Sequence, residues 1–328
     1  MSLDPAVAAV RLAVRRELAA HDGPVLVACS GGADSLALLA ATVFEARRRP
    51  WHVVGVTVDH GLQAGSDDQA AAVLDSMRRL GVDETASVRV QVSGGGQGPE
   101  AAARDARYAV LAELAARWKA SVVLLGHTLD DQAETVLLGL ARGSGARSLA
   151  GMRRGFEVYR RPLLDLTRAQ TEAACRAEEI DFWLDPHNDD PRFTRSRVRH
   201  HVLPVLEAEL GPGVAASLAR TAEQLREDAD TLDDLADRAA ATTLGTAGGL
   251  DVAALAQLPT AVRRRVLRRA LLDAGSPAAE LFRSHVLAVD ALVTGWRGQQ
   301  GVDLPGHVQA VRVAGELCLR RTSPGRPG

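Results

Sequence analysis

Six consecutive residues near the N-terminus combine glycine, hydroxyl and carboxylate chemistry: Ser30, Gly31, Gly32, Ala33, Asp34 and Ser35. Glycines let a backbone turn tightly and approach a ligand closely, and a helix that begins here would direct free N–H groups to the same point. The two serines would add hydroxyl donors. These groups fit an anion site better than a plain turn with an N-cap. The segment therefore predicts a phosphate-binding loop, and the acid Asp34 predicts an accompanying Mg²⁺.

A second cluster of titratable groups lies in the segment 126–135, where His127 is followed by Asp130, Asp131 and Glu134. Asp131 and Glu134 are three residues apart at the start of a predicted helix, so they share one face. A single acid at a helix N-terminus is commonly a partner of the helix dipole. Several acids beside a histidine instead fit a metal ion or a cationic substrate, and the residues alone leave both open.

Two arginine-rich segments, 192–201 and 263–269, could contact a polyanion. Their arginines include Arg195, Arg197, Arg199, Arg265 and Arg268. The formal net charge of −2 argues against binding of nucleic acid through bulk charge. A solvated helix face is the alternative for both segments, since Lys119 is the single lysine of an arginine-rich chain. Both segments lie in mixed or acidic surroundings, so local contacts to phosphates are an equally open hypothesis.

The order of apolar runs and helical stretches predicts where these motifs lie. Strands are predicted at 25–28, 53–58, 88–92 and 122–125, separated by helices near 36–48, 67–80, 100–118 and 131–141. Strands that alternate with helices indicate an α/β fold, a parallel sheet with helices on both faces. Ligands of such sheets bind beyond the carboxyl ends of the strands. Because both motifs follow strands, we expect them at this edge of the sheet.

The remainder of the chain, 211–328, is predicted to be a smaller, mainly helical domain. Gly211-Pro212-Gly213 would separate it from a catalytic domain of residues 1–210, in agreement with roughly two domains for 328 residues. A four- and three-residue spacing of apolar residues from 218 to 239 predicts one long helix. Further helices are predicted near 260–273 and 279–293, with short strands around 308–320.

Composition and cysteine usage exclude several classes of protein. With 46% hydrophobic and 24% charged residues, the chain is neither disordered nor collagen-like. Its cysteines, Cys29, Cys175 and Cys318, form no C-x-x-C pair, so neither a zinc knuckle nor a redox dithiol is indicated. Neither a signal peptide nor an apolar run of about 20 residues is recognisable, which predicts a cytoplasmic protein with no membrane partner.

The motifs, in their order, resemble those of a known family. Residues 30–35 are similar to the S-G-G-x-D-S loop of the N-type ATP pyrophosphatases, the PP-loop superfamily. The further motifs are Val58-Asp59-His60-Gly61-Leu62, Glu100-Ala101-Ala102-Ala103-Arg104-Asp105-Ala106-Arg107-Tyr108, Gly126-His127-Thr128-Leu129-Asp130-Asp131-Gln132-Ala133-Glu134-Thr135 and Arg161-Pro162-Leu163-Leu164. Together they resemble the bacterial tRNA(Ile)-lysidine synthases, closely over residues 24–205 and more weakly over 250–320.

This resemblance implies an adenine nucleotide alpha hydrolase-like fold, a reaction and a set of site residues. The enzyme would join L-lysine to C2 of the wobble cytidine in the CAU anticodon of an isoleucine tRNA, through an adenylated cytidine, with release of AMP and pyrophosphate. ATP would be bound by Ser30, Gly31, Gly32, Ala33, Asp34, Ser35, His60 and Arg107, with Mg²⁺ at Asp34. Catalysis and lysine binding would fall to His127, Asp130, Asp131 and Glu134. The tRNA would contact Arg195, Arg197, Arg199, Arg265 and Arg268, and the resemblance leaves room for a homodimer.

Two alternative functions stay open at this point. Another PP-loop enzyme that modifies tRNA, a thiolase, would share the phosphate loop, although such enzymes tend to use C-x-x-C pairs, which this chain lacks. A nucleotide-gated RNA-binding module without turnover would share both the loop and the basic segments. Pyrophosphate release that depends on lysine separates the ligase from this module.

Overall fold

The computed structural model describes residues 3–49, 51–59, 66–90, 99–143, 145–185, 189–245 and 248–322. Contacts within the chain divide it into two compact units, Met1–Glu223 and Gln224–Gly328. Among the described residues, no single helix is both long and apolar enough to span a membrane. One pair of helices, bent by 98° at its break, meets the length and composition criteria only when both members are taken together.

A six-stranded sheet forms the centre of the first unit. Its strands are β1 (Val25–Ala28), β2 (Val53–Asp59), β3 (Glu84–Arg89), β4 (Val122–Leu125), β5 (Gly155–Phe156) and β6 (Tyr159–Arg160). The order across the sheet is β3-β2-β1-β4-β6-β5, and every neighbouring pair is parallel except β6 with β5. Val25 lies opposite Val53 on one side and Val122 on the other, so β1, β2 and β4 end at one edge.

Helices cover both faces of this sheet. The helices of this unit are α1 (Pro5–Leu18), α2 (Ala33–Ala46), α3 (Ser66–Leu80), α4 (Pro99–Trp118), α5 (Leu129–Ala141), α6 (Ala146–Leu149), α7 (Arg168–Ala177), α8 (Thr194–Arg197) and α9 (Leu203–Leu210), with a π-helix over Val198–Val202. Val25 and Val27 of β1 join a core shared with α1, α2, α3 and α7, whereas Leu26 joins a second core shared with α4. Because successive strand residues point to opposite faces, one strand supplies both cores. The predicted parallel α/β class is confirmed.

Strands at the centre of the sheet fit the predictions better than the strand at its edge. β1 and β4 occupy the predicted ranges 25–28 and 122–125, because strands buried on both faces are continuous apolar runs. The predicted strand 88–92 begins too late, since β3 runs from Glu84 to Arg89 and pairs with Val54–Asp59 of β2; residues 91 and 92 lie outside the described residues. β3 lies at the edge and its side chains are exposed or half-exposed, so its first residues form no apolar run.

The second unit combines helices with a small antiparallel sheet. Its elements are the C-terminal part of α10 (Val214–Thr242), α11 (Val252–Gln257), α12 (Thr260–Asp273), α13 (Arg283–Thr294), β7 (Leu250–Asp251), β8 (Val302–Leu304), β9 (Val308–Val313) and β10 (Glu316–Arg321). The sheet order is β7-β10-β9-β8. Leu255, Val266 and Leu271 from the helices and Ala310 and Leu317 from the sheet are buried in one core. The helix predicted at 260–273 and the strands around 308–320 are confirmed.

Candidate active site

The phosphate-loop motif joins the end of β1 to the start of α2. Gly31 has a φ of +87°, and a Cβ there would lie 2.6 Å from Cγ2 of Val73, so both conformation and space require glycine. The Ser30 N–H donates to Ser35 Oγ over 3.2 Å, and Ser35 Oγ donates to the Gly32 carbonyl over 2.9 Å. The buried Ser35 hydroxyl therefore closes the loop from inside, whereas the expectation from sequence gave both serines the role of ligand donors.

Two further segments pack against this loop through their backbones. The Trp183 N–H donates to the Gly31 carbonyl oxygen over 2.9 Å. A Cβ at Gly126, which follows β4, would lie 3.1 Å from the carbonyl group of Asp34 and from the Cα of Ser35. Glycine lets these two loops approach more closely than a side chain would allow. The fold thus brings both chemically active motifs together at the carboxyl ends of β1 and β4.

Asp34, in the first turn of α2, is a mostly buried carboxylate with one strong partner. The Thr171 hydroxyl of α7 donates to its Oδ1, and Arg168 Nε lies 3.6 Å from its Oδ2. Burial raises the pKa of Asp34 to about 6, although Thr171 and Arg168 both act in the opposite direction. A nearby cation would stabilise the ionised form of this buried carboxylate, so Asp34 is suited to bind a metal ion.

Asp131 is fixed at the N-terminus of α5 by a capping box. The Thr128 N–H donates to Asp131 Oδ2 over 2.9 Å, while Oδ1 accepts from Arg168 Nη2 at 3.0 Å and from Arg199 Nη2 at 3.3 Å. Burial raises the pKa of Asp131, but Arg168, His127, the Thr128 N–H and Arg199 outweigh it and hold the pKa below its ordinary value. Asp131 is therefore an ionised group near neutral pH.

Glu134, one turn further along α5, is fully buried and paired with arginines. Arg199 Nε donates to Oε1 over 2.7 Å and Arg199 Nη2 donates to Oε2 over 3.1 Å, a two-point contact. Arg195 Nε lies 3.3 Å from Oε2 and Arg168 Nη1 lies 3.7 Å from Oε1. The neighbouring Asp130 accepts the backbone N–H of Arg168 over 2.7 Å.

The acid–arginine cluster comprises Asp34, Asp130, Asp131 and Glu134 with Arg168, Arg195 and Arg199. Four carboxylates face three guanidinium groups, so the cluster carries a formal charge of −1 when all are ionised. Burial of an uncompensated charge is costly, which favours the entry of a cation. Sequence reasoning missed Arg168 and its neighbour Thr171, because both belong to α7 and neither type nor spacing distinguishes them.

Arg195 and Arg199 reach the acids from one helical segment, in which the π-helix over Val198–Val202 follows α8. Its defining hydrogen bond runs from the Leu203 N–H to the Val198 carbonyl, and the following Pro204 has no N–H with which to continue an α-helical pattern. Arg195 and Arg199 are four residues apart and both contact Glu134. Two of the arginines predicted to bind tRNA thus lie at the acid–arginine cluster, whereas Arg197 is exposed and donates to backbone carbonyls.

His127 follows the end of β4, at the start of the second motif. Its Nδ1 accepts from Arg161 Nε over 3.3 Å. Burial lowers the pKa of His127 to about 4; the charge of Asp131 opposes this shift, and those of Arg161, Arg195 and Arg107 add to it. The ring is therefore neutral near pH 7. Of the predicted nucleotide contacts, Arg107 is close enough to influence this ring, and His60 lies outside the described residues.

A cavity of about 200 Å³ opens beside the acid–arginine cluster. Its wall carries three carboxylates and two guanidinium groups, together with small apolar surfaces. The lining residues are Asp130, Glu134, Arg168, Arg199, Leu203, Pro204, Glu207 and Ala215. Both charges in one small cavity suit a zwitterion, whose ammonium groups meet carboxylates and whose carboxylate meets a guanidinium.

The arginines predicted on α12 are held by contacts within the second unit. Arg265 Nε donates to Asp233 of α10 over 2.9 Å, and Arg268 Nη1 donates to the Leu281 carbonyl over 2.6 Å. The adjacent Arg263 and Arg264 both pair with the buried Asp290. Each guanidinium keeps further donors, so contact of Arg265 and Arg268 with tRNA stays a prediction.

Comparison with known proteins identifies the family. A family model described as the PP-loop domain matches residues 9–206, and one described as the TilS substrate binding domain matches residues 250–318. The chain is 52% identical to the tRNA(Ile)-lysidine synthase of Streptomyces coelicolor, with 98% of this chain and 100% of the relative covered. It is 55% identical to that of Thermobifida fusca, with 96% and 98% covered.

Among solved structures, a U34-tRNA thiolase from Methanococcus maripaludis is similar in fold. Its TM-score is 0.57 at 19% sequence identity, and the match covers 68% of this chain and 80% of that chain. At this identity the likeness supports the PP-loop fold alone. The assignment to one family within the PP-loop enzymes rests instead on the relatives that are about 50% identical over nearly the whole chain. This chain therefore belongs to the tRNA(Ile)-lysidine synthase family of PP-loop enzymes.

Proposed function

We propose that this chain is the ligase that joins L-lysine to C2 of the wobble cytidine in the CAU anticodon of an isoleucine tRNA, at the expense of ATP. One observation supports the proposal most strongly. The phosphate loop lies at the carboxyl ends of β1 and β4, next to a cavity whose wall carries both carboxylates and guanidinium groups. The family assignment names the tRNA. Catalysis is assigned to residues 1–210 and tRNA binding to residues 211–328.

Two displacement steps account for the products. The cytosine O2 attacks the α-phosphorus of ATP, an O–P bond forms, and pyrophosphate leaves. The lysine ε-amine then attacks C2, the C2–O2 bond breaks, and AMP leaves with that oxygen while the amine loses a proton. Backbone N–H groups at the start of α2 stabilise the phosphate charge. A single-stranded anticodon loop allows the base to reach the site without melting a duplex.

Asp34 would hold the Mg²⁺ that accompanies ATP. Its buried carboxylate, with a pKa raised to about 6, fits a cation. No group of three or more His, Cys, Asp or Glu side chains suited to a metal occurs among the described residues, and Mg²⁺ in nucleotide sites commonly uses one or two carboxylates plus phosphates. When bound, the ion neutralises the charge of the departing pyrophosphate.

Asp131 and Glu134, with Asp130, would bind lysine at the acid–arginine cluster. The arginines keep these carboxylates in fixed positions, and the cavity wall, with three carboxylates against two guanidinium groups, favours an ammonium group. Arg168 and Arg199 line the same cavity, where one of them could meet the lysine carboxylate. The tRNA substrate also supports the cytoplasm as the place of action. The homodimer stays a prediction, which sedimentation velocity would measure.

Repeated pyrophosphate release tests this proposal. It should require ATP, lysine and the isoleucine tRNA transcript together, because AMP leaves and the enzyme turns over after lysine attacks. A transcript with uridine in place of the wobble cytidine is the matched control and should support no turnover. Turnover without lysine would point to another PP-loop reaction, and binding of tRNA without any turnover would point to the RNA-binding module.

A further inference from the structure

Arg161 is a buried cation whose hydrogen-bond partners among the described residues are uncharged. It follows β6 and is 4% exposed. Its Nη2 donates to the Tyr108 hydroxyl over 2.9 Å, its Nη1 donates to the Arg153 carbonyl, and its Nε donates to Nδ1 of His127. A guanidinium buried without a carboxylate is costly, so a structural role alone explains it poorly.

Aromatic rings further fix the position of this guanidinium. The Arg161 Cζ lies 5.0 Å from the centroid of the Phe156 ring, within the range of a cation–π contact. Phe156 stacks on Tyr159 with 4.9 Å between centroids, and Tyr108 meets Tyr159 edge to face at 5.1 Å. The chain has only two tyrosines, and both belong to this group. Arg161 is thus held on several sides while its Nε points at His127.

The contact with Arg161 determines which nitrogen of His127 carries the proton. A guanidinium is always protonated and has no acceptor, so Nδ1 must accept and be unprotonated. The neutral ring then carries its proton on Nε2. Nε2 has no hydrogen-bond partner in the part of the chain that the structure describes. Its N–H is available to a ligand, next to the phosphate loop.

We propose that Arg161 is a positioning residue that holds His127 as the Nε2–H tautomer, so that His127 donates a hydrogen bond to a phosphoryl or carbonyl oxygen of the substrates and does not act as a base. This inference rests on the proposed function for the identity of the substrates. The lowered pKa of His127 agrees with it, because a ring with a pKa of about 4 is a weak base at neutral pH. The fixed ring would act in the chemical step and contribute little to ground-state binding.

Nitrogen-15 NMR of the histidine rings, measured without substrates, tests the tautomer. The His127 signal is assigned by its loss in His127→Gln. We expect a protonated Nε2 and an unprotonated Nδ1 in the wild type, and detectable Nδ1–H in Arg161→Met. Arg160→Met is the matched control, since this neighbour has the same charge and contacts Glu17 instead. A proton on Nδ1 in the wild type, or an Arg161→Met spectrum like the wild type, would overturn the proposal.

If Arg161→Met does not fold, Arg161→Lys provides the same test. Lysine retains the positive charge but cannot reproduce the contact of Nε with His127, so we again expect a detectable Nδ1–H signal from His127. Since the NMR experiment needs no turnover, its result stands even if the chain forms no lysidine.

A double-mutant cycle tests the consequence for the reaction. Arg161→Lys should lower the single-turnover rate of lysidine formation by roughly 10- to 100-fold, with the Michaelis constants for lysine and ATP changed much less. In a His127→Ala background the same change should have little further effect, because Arg161 acts through His127. Equal losses in both backgrounds would show that Arg161 does not act through the ring.

Discussion

Replacing Glu134 with glutamine removes one charge from the acid–arginine cluster while keeping the shape of the side chain. Glu134 is fully buried, and its two oxygens accept from Arg199 at 2.7 and 3.1 Å. Glutamine retains one acceptor oxygen but presents an amide NH₂ to a guanidinium. The wall of the adjoining cavity has three carboxylates and two guanidinium groups, so its formal charge changes from −1 to 0 and the site loses its preference for a cation.

The structure sets the expected magnitude of this change. An ammonium group that meets one carboxylate fewer should bind more weakly by at least ~1.4 kcal/mol, a tenfold rise in the Michaelis constant for lysine. Breaking a buried ion pair commonly costs about 3–5 kcal/mol of folding free energy. Because Arg199 keeps its contact with Asp131 and is 19% exposed, we expect a loss of about 1–3 kcal/mol here.

Single-turnover lysidine formation, titrated separately with lysine and with Mg²⁺, distinguishes the two roles that these acids could have. Glu134→Gln should recover at high lysine and gain nothing from Mg²⁺, while ATP and tRNA bind much as before. Rescue by Mg²⁺ without rescue by lysine would refute the lysine-binding assignment and place a metal ion at the cluster.

Glu45→Gln is the matched control for this experiment. Glu45 is 4% exposed and accepts from Arg15 through both oxygens, at 2.8 and 2.9 Å, but lies near the C-terminal end of α2, away from the phosphate loop. It should lose stability in urea denaturation and keep the wild-type Michaelis constant for lysine. A change of that constant in the control would show that the assay reports folding and not the site.

The remaining predictions concern the loop and the arginines. In the metal-free protein Asp34→Asn should raise the melting temperature at about pH 7.5 and change it little near pH 4. The reason is that burial raises the pKa of Asp34 to about 6, so the folded protein loses stability as the pH rises through this value. The same variant should release no pyrophosphate and bind tRNA with the wild-type affinity. An equal effect at both pH values contradicts the burial of an ionised Asp34. Gly31→Ala should cost about 1–3 kcal/mol in urea denaturation, through its positive φ and the contact with Val73, and an unchanged midpoint would contradict this. Charge reversal at Arg265 and Arg268 should flatten the dependence of log tRNA affinity on log salt, whereas an identical slope would leave both as a solvated face.

The two motifs could be predicted because each consists of consecutive residues whose types are recognisable without knowledge of the tertiary structure. The loop from Ser30 to Ser35 and the first turn of α5, which contains Asp131, each need only a strand before them and a helix that begins there. The parallel order of β1 and β4 then brings the two together, which follows from the alternation of strands and helices. The bounds of the edge strand β3 were displaced in the prediction because this strand pairs only with β2 and its exposed or half-exposed side chains form no apolar run.

Residues that complete the site from distant elements were not predictable in the same way. Arg168 reaches Asp131 across 37 residues of sequence, and in an arginine-rich chain its type carries no signal. The sequence predicted that Arg199 binds tRNA, because a run of arginines indicates positive charge but does not show whether a side chain faces solvent or the acids of the site. Its contact with Glu134 joins two elements that are 65 residues apart in the sequence. Such contacts between distant elements follow from how the elements pack and produce no periodic pattern in the sequence.

Mass spectrometry of the nucleosides from a modified transcript tests the central claim most directly. The purified protein is incubated with an isoleucine tRNA transcript that has a CAU anticodon, ATP, Mg²⁺ and isotope-labelled lysine, and the tRNA is digested to nucleosides. The wobble cytidine should gain the mass of one labelled lysine less one water, and the gain should vanish when ATP is omitted. An unchanged cytidine, or a mass gain that carries no label from lysine, would contradict the assignment.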